Sequence, residues 1–119
     1  MGKTKTLTMN TLQFAGEELS TPAVRVSADA ERYARSHRLW GSFVIVKSLV
    51  LRAQGLAASI DVNLLRDPDA TDQLTICFTV HTNAPVAAVL EFDERLRRWI
   101  FDEVPADDEI HFAIQFDFD

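Results

Sequence analysis

Ile110, His111, Phe112, Ala113, Ile114, Gln115, Phe116, Asp117, Phe118 and Asp119 alternate apolar and polar side chains with a period of two, interrupted only by Ala113. Successive side chains of a β-strand point to opposite faces, so this stretch predicts a strand with Ile110, Phe112, Ile114, Phe116 and Phe118 inward. His111, Ala113, Gln115, Asp117 and Asp119 then face solvent. A strand of this kind belongs to a sheet covered on one face and wet on the other, so the remaining chain must supply both partner strands and a cover.

Two earlier segments obey the same parity. Ser59 to Leu65 sets Ile60, Val62 and Leu64 against Asp61 and Asn63, and Leu74 to His81 sets Leu74, Ile76, Phe78 and Val80 against Thr75, Cys77, Thr79 and His81. Both read as half-buried strands. The polar stretch Arg66, Asp67, Pro68, Asp69, Ala70, Thr71 and Asp72 between them has the composition of a hairpin connection.

The cover comes from helices. Asn83 to Pro85 opens one, because proline is tolerated where its missing N–H costs nothing. Its apolar side is Val86, Val89, Leu90, Phe92, Leu96, Trp99 and Ile100, and Glu91/Arg95, Asp93/Arg97 and Glu94/Arg98 are acid-before-base pairs one turn apart. Pro105 and the acidic Asp107, Asp108 and Glu109 end it. Upstream, Ser27 is an N-cap before the acidic Asp29 and Glu31, and a helix is expected to run from there to about Gln54, with Gly55 as its stop. Leu39 to Leu51 is apolar on nearly every side, more than one surface helix needs. The β-branched run Val44, Ile45, Val46 leaves a strand open as an alternative there.

Residues 1–26 are polar and Thr-rich, with short candidate strands at Thr6 to Phe14 and Ala23 to Val26. The expected fold is a single α+β domain over residues 1–119, a two-layer sandwich with a mixed or antiparallel sheet and two helices on one face. Its order is (β)αββαβ. A strand contributed before the first helix would complete the βαββαβ order of a ferredoxin-like arrangement.

Composition narrows function more than it identifies it. The 119 residues, 47% apolar and 25% charged, suffice for one hydrophobic core without a disulfide or structural metal. Cys77 is the single cysteine, and with no signal peptide in view the expectation is a reducing, cytoplasmic setting. A net charge of −6 argues against nucleic acid, and the apolar runs are too short to span a membrane.

Cys77, His81 and His111 are the candidate chemical residues, since all three take the polar parity of the sheet. Cys77 and His81 are four positions apart on one strand, about 13 Å, too far to share a metal ion. The wet-face reading is therefore the simpler one. The strand aromatics all take the inward parity, which leaves nothing to stack RNA bases. Asp67, Asp69 and Asp72 lack the glycine and distal glutamate of a calcium loop and read as turn residues. Arg32, Arg35 and Arg38 make a small basic stripe that reads as a solvated face. No metal or cofactor is expected.

A non-catalytic protein-interaction or regulatory module is the expected function. Association, as a homodimer or with another protein, is expected through the apolar first helix, where Trp40, Phe43, Val46 and Val50 are the interface candidates, or through an exposed sheet edge. The partner is itself or another protein. The alternatives are a small enzyme or ligand-binding domain on the polar sheet face, and an acidic partner that neutralises a basic protein.

Overall fold

A computed structural model of the chain describes residues 22–53, 55–66 and 74–118. The candidate strand at Thr6 to Phe14 and the acidic connection Asp67 to Asp72 lie outside the described residues. The described elements are β1 (Ala23–Val26), α1 (Ala28–Ser36), α2 (Trp40–Val50), β2 (Ala57–Arg66), β3 (Leu74–Thr82), α3 (Val86–Glu103), α4 (Ala106–Glu109) and β4 (Phe112–Phe118). This is an α+β arrangement with a four-stranded mixed sheet.

The strands lie in chain order, β1-β2-β3-β4. β1 runs parallel to β2, β2 antiparallel to β3, and β3 parallel to β4. The ferredoxin-like expectation is not confirmed. A split βαβ unit carries a further strand between its two parallel strands, whereas here β1 and β2, and again β3 and β4, are direct neighbours.

Register explains the two faces. Val26, Val62, Phe78 and Ile114 align across all four strands, as do Val24, Ile60, Val80 and Phe116. These rows pack under the helices with Ala30, Ala34, Phe43, Val46, Leu49, Leu96 and Ile100. Phe43 and Phe78, both almost wholly buried, meet with ring centroids 5.7 Å apart.

The single long helix expected from Ser27 to Gln54 is two helices. Ser27 does cap the first, its Oγ accepting from Ala30 N–H at 3.1 Å. The break falls at Arg38, whose φ of 59° is left-handed. Leu39 N–H donates back to Ala34 O at 2.8 Å, the six-residue closure of a helix terminated by a left-handed residue. The chain then restarts as α2, which turns Phe43, Val46, Leu49 and Val50 into the core. Helix, not strand, is thus the state of the β-branched run. Gly55 has the positive φ expected of it, 82°, but in the turn after α2 has already ended.

Two polar side chains pin the layers. Thr82, fully buried at the end of β3, donates from Oγ1 to Leu56 O at 2.6 Å and accepts from Ala84 N–H at 3.0 Å. Ser42 on α2 donates to Asp108 Oδ2 on α4 at 2.6 Å. Among the described residues, no helix is long and apolar enough to cross a membrane.

Candidate functional site

The odd-numbered residues of the strands form the face away from the helices, and their alignment brings one charged side chain from each strand into a line. Arg25 on β1 is the direct partner of Asp61 on β2, and His81 on β3 is the direct partner of Asp117 on β4. Arg25 grips Asp61 with both ends of its guanidinium, Nε to Oδ1 at 2.7 Å and Nη2 to Oδ2 at 3.1 Å. His81 stands 2.8 Å from Asp61 through Nε2 and 3.1 Å from Asp117 through Nδ1.

An ionised carboxylate only accepts hydrogen bonds, so an imidazole flanked by two of them satisfies both contacts by carrying a proton on each nitrogen. The hydrogen bond to Asp61, opposed by desolvation and reinforced by Asp117, holds the His81 pKa above its ordinary value. Asp61 is held below the usual carboxylate range by Arg25 and then by His81. With His81 protonated, the four side chains make a ladder of alternating charge across the sheet. With both nitrogens engaged, His81 offers no free lone pair to a metal or to a substrate proton.

The other sequence candidates lie apart. Cys77 sits on this face but is buried, its Sγ within 3.5 Å of Gln115 Oε1 and 3.8 Å of Thr79 Oγ1. Neither neighbour is a base, which a nucleophilic thiol needs. His111 leaves the face altogether: it precedes β4, and its Nδ1 lies 3.3 Å from the Tyr33 hydroxyl of α1. The three residues are not one site. Among the described residues, no group of three or more His, Cys, Asp and Glu is placed to hold a metal ion.

The interface candidates of the first helix divide. Phe43, Val46 and Val50 are enclosed in the chain's own core, because the break at Arg38 turns α2 onto the sheet. Trp40 remains half-buried beneath Arg35, whose guanidinium carbon is 3.7 Å from the ring centroid. Arg32 and Arg35 are paired with Asp29 and Glu31, so the basic stripe is largely neutralised.

A second surface was not anticipated. A groove of about 300 Å³ lies between the second half of α3, α4 and β4, lined by Arg97, Ile100, Phe101, Glu109, Phe112 and Ile114. Phe101 is 74% exposed beside it, and Ile110 is 63% exposed where α4 leads into β4. Among the described residues, no strand pairs with the outer side of β4. The helical spacing of Arg97 and Phe101 was in the sequence, but their position beside β4 depends on strand order, which alternation alone does not specify.

No protein-family model, curated protein or solved structure matches the chain.

Proposed function

We propose that this chain is a protein-interaction module whose docking surface is the β4 margin, with a second copy of the chain as its partner. The observation that carries it is the coincidence, along one side of the molecule, of a strand edge unpaired among the described residues with the exposed Phe101, Ile110 and Phe118. An open edge offers backbone donors and acceptors to an added strand, and large apolar side chains beside it add affinity when covered. Arg97, which lines the groove, is already paired with Asp93 of the same helix at 3.0 Å, so its charge is compensated within the chain. A mainly apolar surface of this kind suits the isologous contact of a two-fold dimer.

The alternative of an enzyme or ligand-binding site on the polar sheet face has less to rest on, since His81 is committed to two carboxylates and Cys77 is enclosed. Sedimentation equilibrium of the full chain tests the module. A mass of two chains, reduced to one by Phe101→Glu without loss of the folded circular dichroism spectrum, is the expected result. A single-chain mass at high micromolar concentration would overturn it.

A further inference from the structure

We propose, building on the self-association described above, that two copies join by antiparallel pairing of β4 with β4 about a two-fold axis at Gln115, making one continuous sheet. The backbone sets the parity of that pairing. Ile76 N–H donates to His111 O at 2.8 Å, and Ile76 is the register partner of Phe112. In a parallel ladder this directs the backbone groups of the odd residues of β4 toward β3. The groups of Phe112, Ile114, Phe116 and Phe118 therefore point away from β3, to the side where no described strand pairs.

Antiparallel self-pairing centred on Gln115 sets Ile114 opposite the partner's Phe116, and Phe112 opposite the partner's Phe118. Every outward backbone group from Phe112 to Phe118 then finds a partner. The Gln115 register also sets Asp117 opposite the partner's Ala113, so no like charges face each other.

Helix α3 fits the same axis. Val86, Leu90, Asp93, Arg97 and Phe101 follow one line along it at spacings of three and four. Val86 and Leu90 are 56% and 61% exposed. Phe92 packs edge-on against Phe116 while Ile100 and Phe101 line one groove with Phe112 and Ile114, so α3 runs opposite to β4. The middle of the line is thus level with Gln115. A two-fold axis there turns Phe101 toward the partner's Val86 and Leu90. Near the axis the line carries Asp93 and Arg97, which pair with each other at 3.0 Å within the helix, so no uncompensated charge opposes its copy there.

Cross-linking tests the register separately from self-association. Because Cys77 is the only cysteine, Gln115→Cys in a Cys77→Ala background places one thiol per chain. Directly opposite, non-hydrogen-bonded residues of an antiparallel pair have Cα atoms about 4.5 Å apart, within disulfide range. Under copper-phenanthroline oxidation at micromolar protein, Gln115→Cys is expected to cross-link on the order of a hundredfold faster than Val44→Cys on α2. A two-chain mass by sedimentation with no preferential cross-linking at 115 overturns the β4 pairing and leaves the interaction module standing. A single-chain mass overturns both. Phe118→Lys, which alters an exposed side chain, is expected to abolish the two-chain mass with the fold retained, and its failure to do so also counts against the pairing.

Discussion

Asp61 Oδ2 is shared: it accepts from Arg25 Nη2 at 3.1 Å and lies 2.8 Å from His81 Nε2. One carboxylate thus joins β1 to β3 across β2, and His81 carries the connection on to Asp117 of β4. The chain of contacts depends on protonation at its centre. His81 and Asp61 are each only a quarter exposed, while Arg25 and Asp117 extend into solvent.

Stability should therefore follow pH with two opposite limbs. His81 has its pKa raised by folding, so its contribution is full below the unfolded value of about 6.5 and is lost as pH rises through the higher folded value. Asp61 is lowered, so its contribution is present above about 3.9 and is lost as pH falls through the folded value. Melting temperature measured from pH 5 to 9 is expected to decline on the alkaline side in the natural chain. His81→Gln removes the titrating group and should flatten that decline; an unchanged slope would dissociate His81 from it.

Thr82 should be the costliest polar residue to replace. Its hydroxyl serves both Leu56 O and Ala84 N–H from a fully buried position. Thr82→Val preserves shape but leaves both backbone groups without that partner, and unsatisfied buried groups cost about 1–3 kcal/mol each. A loss of about 3 kcal/mol in urea unfolding is expected, with Thr82→Ser losing much less because it keeps the hydroxyl.

The strands were legible because alternation reports burial directly. Ile60, Val62, Ile76, Phe78 and Val80 are all turned to the core as their parity requires. The terminal strand follows the rule less fully: Phe112, Ile114 and Phe116 pack on the core, but Ile110 caps α4 and is exposed, as is Phe118. Among the described residues β4 pairs with β3 alone, and period two cannot distinguish such a strand from a central one. The Arg25–Asp61–His81–Asp117 line was hidden for a related reason. Each residue was visible as an outward side chain or a charge, yet which outward side chains meet depends on strand order. The break at Arg38 was hidden because the usual signal for a left-handed helix end is glycine, and arginine stands there instead.

Cys77 should be inert in the folded chain. Outward parity made it a candidate nucleophile, but it is only 2% exposed. Ellman's reagent should react on the order of a hundredfold or more slowly with the native protein than with the urea-unfolded chain, since attack on a buried thiol must await a local opening. Rapid native labelling would restore Cys77 as an accessible thiol.

Arg38 is the position where substitution should raise stability. An L-residue in the left-handed region costs about 1–2 kcal/mol, from the approach of its Cβ to the following carbonyl. Glycine has no such clash but loses more backbone freedom on folding, an opposing term of about 0.5–1 kcal/mol. The clash term is the larger, and Arg38 is exposed, so removing its side chain opens no cavity in the core. Arg38→Gly should therefore gain about 0.5–1 kcal/mol in urea unfolding. Arg38→Asn should gain less, because asparagine only tolerates the left-handed region. Arg38→Val should lose stability, since β-branching is poorly accommodated there. The order Gly, Asn, Arg, Val tests the backbone explanation: if glycine and valine destabilised equally, the arginine side chain, and not the left-handed turn, would be what holds α1 to α2.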